Sequence, residues 1–259
     1  MTDEDGGLTP PEPPAAPGWK EALSAVRTVG GWMTEAQLRR LWEAARATPD
    51  AATIVEIGSF HGRSAIVLAL AARDGARVWA IDPHAGSDRG PGEIRGAFDT
   101  GERDKVTFHA NLAAAGVADR VEHVRRFSDM AHAEIPGAID LLHVDGAHRY
   151  APARDDIAGW GARVRPGGRM LIHDSFSSIG VTGAQLRLLV LSGRWRYLGR
   201  DGSLADYRRE ELRGAERSRN ALRQLAQLPW FARSVTVKVL LTLRLRRAAR
   251  LLGADGWPY

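Results

Sequence analysis

A chain of 259 residues has room for one α/β domain with extensions, or at most two small domains. It contains no cysteine, which excludes a disulfide framework, a thiolate metal site and the cysteine nucleophile used in C5-methylation of nucleic acids. The net charge of +5 is unevenly placed: residues 209–259 hold 11 Lys/Arg against 4 Asp/Glu, which leaves the preceding residues at −2. That distribution does not describe a basic nucleic-acid groove, and no nucleic-acid partner is expected.

Residues 1–18 carry five prolines among acids and small residues, without an apolar stretch. They are expected to form a disordered leader rather than a secretory signal, and the cytoplasm is the default location. Residues 19–48 are expected to be a helical cap. Within it Thr34 and Gln37 fit a capping box, and Leu38, Leu41, Trp42 and Ala45 follow at helical spacing. This helix is expected to help roof a ligand pocket. From 49 to 208 short apolar strands alternate with helical stretches. The strands are expected at Thr53–Ile57, Arg77–Ile81, Val121–Val124, Ile139–Val144 and Arg169–His173, with helices over Arg63–Arg73 and Asn111–Gly116. Such near-continuous apolar strands indicate a parallel sheet covered on both faces. Arg194–Gly199 and Ser203–Arg208 read as an antiparallel hairpin. Between them, the glycine-rich stretch Pro83–Lys105 reads as a long loop over the strand ends.

In an open α/β sheet the ligand lies across the carboxyl ends of the strands, so the residues that end each strand carry the chemistry. The first strand runs into Glu56-Ile57-Gly58-Ser59-Phe60-His61-Gly62-Arg63-Ser64. Its G-x-x-x-G spacing is not the G-x-G-x-x-G of a dinucleotide site. A carboxylate at Glu56, facing the pocket, would repel a phosphate and suit a cationic amine, such as the ammonium group of S-adenosylmethionine. Asp82 ends the second strand, where a carboxylate can accept hydrogen bonds from vicinal ribose hydroxyls. Ser128, after the third strand, is placed to meet an adenine edge or to cap a helix. The fourth strand ends in Asp145-Gly146-Ala147-His148, joining a carboxylate to an imidazole that can take a proton near neutral pH. Asp145 would orient His148 or hold a divalent ion. The fifth strand ends in His173-Asp174, whose second carboxylate completes the outline of a hard-cation site.

These motifs, with Pro166-Gly167-Gly168 leading into His173-Asp174, resemble the class I S-adenosylmethionine-dependent methyltransferases. More narrowly, they resemble the branch that includes the macrolide-sugar O-methyltransferases and the cephalosporin-hydroxylase-like proteins. The resemblance spans about Gly31 to Arg208. It implies a Rossmann-like three-layer α/β sandwich, with a mostly parallel seven-stranded sheet and an antiparallel edge hairpin. It implies S-adenosyl-L-methionine as cofactor, with Glu56, Gly58 and Ser64 at the methionine end, Asp82 on the ribose, and Ser59, Gly62, Ser128 and Asp145 also in contact. It further implies His148 as general base, Mg2+ on Asp145 and Asp174, and a hydroxyl of a small molecule or saccharide as methyl acceptor. Where those enzymes have an acid before the last aspartate, this chain has His173, so a third hard ligand is missing or replaced.

Two other functions stand beside this one. An NAD-dependent dehydrogenase is disfavoured, because Glu56 would face a pyrophosphate and the third glycine is absent. A degenerate cofactor-binding domain that docks at a membrane or a partner is kept open by residues 209–259, a basic amphipathic tail. There a helix over Ser218–Leu228 is expected to stop at Pro229, and Ser234–Leu252 interleaves leucines and valines with arginines. That tail would pack on its own domain, form a homodimer contact, or lie at the inner membrane face as a peripheral anchor.

Overall fold

A computed structural model describes residues 17–86 and 98–253 of the chain. The leader expected at 1–18 falls, up to residue 16, outside the described residues, as do residues 87–97 of the long glycine-rich stretch.

The strands are β1 (Thr53–Ile57), β2 (Arg77–Ile81), β3 (Val121–Val124), β4 (Ile139–Val144), β5 (Val164–Ile172), β6 (Trp195–Asp201) and β7 (Leu204–Arg209). They form one sheet in the order β3-β2-β1-β4-β5-β7-β6. The first five are parallel, while β7 runs antiparallel to β5 and β6 antiparallel to β7. The chain adds strands outward from β1 on one side and then on the other. The crevice at that reversal opens between the ends of β1 and β4.

Alternation along the strands assigns the two faces. Ile54, Val78, Leu141 and Leu171 pack with helices α1 (Trp19–Ala25), α2 (Glu35–Arg46) and α3 (Arg63–Ala71) through Val26, Leu38, Leu41, Ile66 and Leu68. Val55, Ile57, Leu142, Val144 and Ile172 pack on the opposite face with α5 (Tyr150–Gly161) and α6 (Ile179–Leu188), where Trp160 and Phe176 are fully buried. Burying each such large side chain contributes roughly 1.5–3 kcal/mol.

The expected capping box is present. Gln37 N–H donates to Thr34 Oγ1 at 3.4 Å, and Thr34 N–H to Gln37 Oε1 at 2.7 Å. The helix it starts does not roof a pocket, however. α2 lies against α3, with Gln37 bonded to Ser203 and Arg40 to Asp201. β5 is longer than expected, because Pro166-Gly167-Gly168 lies within it as an irregularity between the pairings of Ile139 and Leu141.

Two expectations change. Helix α4 (Phe98–Ala114) occupies the end of the stretch that reads as loop, held by buried Phe108 and Leu112 one turn apart. Gly101 belongs to that helix and marks a close contact rather than a turn, since a Cβ there would lie 1.9 Å from the His84 carbonyl oxygen. In the tail, α7 (Gly214–Leu225) is followed by α8 (Leu228–Thr242), with Pro229 in its first turn, and by α9 (Arg246–Leu251). α8 packs on its own domain: Ser234 and Val237 are fully buried, and Trp230 and Phe231 rest on the core. Among the described residues no helix is long and apolar enough to cross a membrane.

Alanine in a helix interior ordinarily outranks glycine by about 1 kcal/mol. At Gly101 the sign is expected to reverse, with Gly101→Ala costing about 1–3 kcal/mol by overpacking. Urea denaturation reads it, and a stabilised variant would show that α4 is not seated on the 82–86 segment.

Candidate active site

One cavity of about 1120 Å³ lies over the ends of β1, β2, β4 and β5. Of the residues expected to form a site, Gly58, Ser59, Ser64, Asp82, Ser128, Asp145, His148 and Asp174 line it. Glu56 and Gly62 do not. Gly62 turns the chain into α3 from a left-handed position, backed by Phe108. Glu56 corrects the expectation that its carboxylate faces the pocket. It shares its side of the sheet with Ile54, the face away from Val55 and Ile57, and is fully buried. Its Oε1 lies 3.1 Å from Nδ1 of the buried His143, its neighbour in the β1–β4 register.

The β1–α3 loop is built for close approach. Gly58 has φ +86°, and a Cβ there would fall 2.1 Å from the Asp145 carbonyl oxygen, so the two strand ends touch through backbone. Asp82 organises the same loop. One of its oxygens accepts the N–H groups of Ser59 and Phe60, both at 2.9 Å, and the other accepts that of His84 at 2.8 Å. Ser128 donates to Asp156 at 2.5 Å. Burial, more than the neighbouring Asp129 and Asp155, pushes the Asp156 carboxyl up to about 6 against the pull of that hydrogen bond. Arg63, first residue of α3, also lines the cavity. Its guanidinium bonds the Gly31 carbonyl at 3.3 Å, its Nε has no partner, and burial lowers its pKa.

At the ends of β4 and β5 the pairing is crossed relative to expectation. His148 is oriented by Asp174, Nε2 to Oδ2 at 2.7 Å, and not by Asp145. Asp145 instead faces His173, Oδ1 to Nδ1 at 3.0 Å, and His173 lies 3.6 Å from Asp174 as well. Lys238, from α8, comes within 3.6 Å of the other Asp174 oxygen. Burial alone would lower the pKa of His173, but the two aspartates, Asp145 first, prevail and push it up to about 10. For His148 burial again pulls down, and the Asp174 bond and charge outweigh it, leaving the pKa raised. Asp174 is held well below the usual carboxylate range: burial pushes it up, and its bonds to His148 and His173 more than reverse that.

Asp145, His148 and Asp174 offer ligand atoms within 4.8 Å of one another, which is close enough for one ion. Two carboxylates, with waters completing the shell, are a donor set that a hard divalent cation accepts. Each carboxylate already faces a nitrogen cation, and an ion between them would stand against His173 and Lys238. An ion on Asp145 and Asp174 would compete with these charge pairs for the same carboxylate oxygens. Sequence reasoning missed Lys238, Asp156 and the pocket-lining Trp32. Lys238 left one trace, as a lone charge in the apolar spacing Val235, Val239, Thr242.

The sheet order, with its antiparallel edge pair, is that of the Rossmann-like α/β fold found in methyltransferases. Residues 55–175 match the family described as a methyltransferase domain. An uncharacterized protein of Acanthamoeba polyphaga mimivirus is 29% identical over 130 residues, covering 48% of this chain and 52% of that protein. The chain thus spans about half the length of the curated relative it matches. Among solved structures, the O-methyltransferase TomG from Streptomyces achromogenes, in complex with SAM, is 21% identical with a TM-score of 0.52, over 74% of this chain and 89% of that one. An O-methyltransferase from Bacillus cereus, in complex with SAH, is 18% identical with a TM-score of 0.51, over 74% and 90%. At such identities the likeness is one of fold.

Because the His173 pKa is raised on folding, the stability it contributes is present below about pH 6.5 and is lost as pH rises toward about 10. His173→Gln removes the cation from between two carboxylates and is expected to cost about 3–5 kcal/mol near pH 6. The cost should shrink on the alkaline side. Chemical denaturation at pH 6 and pH 9 measures it, and an equal loss at both would mean that His173 acts by packing rather than charge.

Proposed function

We propose that the chain is an S-adenosylmethionine-dependent O-methyltransferase acting on a hydroxyl of a small molecule, with His148 as general base. One observation carries this reading: a single cavity in a methyltransferase domain joins Asp82 at one strand end to the bonded pair His148–Asp174 at another. When bound, the cofactor supplies a methyl group on a sulfonium, whose sulfur takes the electron pair of the broken S–C bond.

Asp82 keeps acceptor capacity for ribose hydroxyls while tying down the Ser59–Phe60 backbone. Ser128 and Asp156 suit the polar edge of adenine. Arg63 and the first N–H groups of α3 suit the carboxylate of the methionine part, since a helix N-terminus and a guanidinium both favour an anion. Gly58, bare against Asp145, lets that part lie on the backbone. At the reacting end His148 has Nε2 committed to Asp174, so Nδ1 receives the acceptor's proton as the oxygen attacks carbon. Asp174 fixes the tautomer and steadies the imidazolium that forms, as the third member of a triad does. The remaining catalysis is alignment of oxygen, carbon and sulfur.

Adenosylhomocysteine is expected to bind and NAD not to bind, measured in parallel by calorimetry. The reverse result would end the methyltransferase reading. A base must be neutral, so turnover over kcat/KM should rise with pH through a value above 6.5, as the raised pKa of His148 requires. His148→Ala should lose about 10²–10⁴ in rate together with that rise, while adenosylhomocysteine affinity holds. Unchanged turnover would return His148 to a surface role.

A separate observation favours a second use of the tail. Leu251 is 89% exposed beside Leu243 and Leu245, among Arg244, Arg246, Arg247 and Arg250, an arrangement that suits an anionic lipid surface. Vesicles containing phosphatidylserine should sediment the chain at low salt and release it at high salt. Sedimentation that persists after residues 244–259 are removed would discard the tail as anchor. A mass that depends on concentration, with indifference to vesicles, would indicate the homodimer instead.

A further inference from the structure

α8 turns Val235, Lys238, Val239 and Thr242 toward the cavity, a stripe at i, i+3, i+4 and i+7 that makes one face of the helix a wall. The helix is fixed in that orientation from behind, by buried Ser234 and Val237 and by Trp230 and Phe231 on the core. The wall stands on the His148 side of the cavity, because Lys238 meets Asp174, which holds His148.

Its polar groups are already engaged. The Lys238 ammonium faces a carboxylate, and the Thr242 hydroxyl donates to the Lys238 carbonyl at 2.8 Å. What the wall presents is apolar and bare: Val239 is 50% exposed and Leu243 62%. Across the lip Ile179, which also lines the cavity, is 70% exposed. Apolar surface beside a reactive imidazole gains by being covered with apolar surface. A saccharide seated there would leave its hydroxyls without partners, which costs free energy.

We infer that the α8 wall is the acceptor subsite, and that the acceptor is an alcohol or phenol carried on an uncharged, apolar body rather than a saccharide. This rests on the methyl-transfer reading, which is what makes the hydroxyl next to His148 the reacting one. The acceptor's polar end meets His148 and its apolar body lies along Val235, Val239 and Leu243. α8 falls outside residues 55–175, so the methyltransferase domain alone does not supply this wall.

The test uses the full chain saturated with adenosylhomocysteine, with 2-naphthol and methyl glucoside as probes in calorimetry. Naphthol is expected to bind and the glucoside not to. Val239→Asp should weaken naphthol binding about ten-fold or more, since a charge would be buried against an apolar ring. Leu243→Asp should act in the same direction, and both sites are exposed enough that the fold tolerates them. Thermal midpoints and adenosylhomocysteine affinity should stay as in the parent. Naphthol binding indifferent to both variants, or tighter binding of the glucoside, would overturn the inference. A chain that binds naphthol with this variant pattern but rejects adenosylhomocysteine would instead overturn methyl transfer, leaving an apolar pocket that is no acceptor site.

Discussion

Asp145 and Asp174 stand on neighbouring strand tips, one half-buried and one buried, and two carboxylates so placed repel each other unless positive charge lies between and around them. The β4–β5 register, with Val144 opposite Ile172, brings them together. His173 takes the space between, His148 the outer side of Asp174, and Lys238 reaches in from α8, 64 residues beyond Asp174. Asp174 takes up this position with φ +54°, a left-handed value that costs a residue with a side chain free energy. The cluster thus couples the sheet, the strand-end loop and the tail through charge.

Much of the frame was legible because the sheet dictates it. β1 to β4 lie where short apolar runs predict them, and the strand-end residues Gly58, Asp82, Asp145 and Asp174 meet at one cavity, as a parallel sheet requires. What was not legible depends on choices that periodicity does not make. Glu56 could point to either face; the alternation of Val55 and Ile57 toward one side sends it to the other, where His143 receives it. Gly101 looks like loop until the His84 carbonyl is known to lie against it. Lys238 is one basic residue among many in the tail, and only the seating of α8 by Trp230, Phe231 and Val237 selects it.

Asp82 shows how one side chain serves structure and ligand together. Its oxygens already hold three backbone N–H groups, so removing it loosens the Ser59–Phe60 turn whatever it does to a ribose. Loss of binding on substitution there would not by itself identify a hydroxyl contact. A more specific reading comes from residues whose side chains do little else, of which Arg63, with its unpartnered Nε, is the clearest.

The wall contributed by α8 also bears on inheritance. The strand tips that would hold a cofactor lie within residues 55–175, while the α8 wall of the cavity is appended after them. Exchange or drift of that appended helix would alter which molecules are accepted while the sheet, its register and the charge cluster beneath stay as they are. Lys238 is the exception, since it belongs to both. It ties the appended helix to the strand-end cluster, so a different wall without a cation there would leave Asp174 with one positive partner fewer.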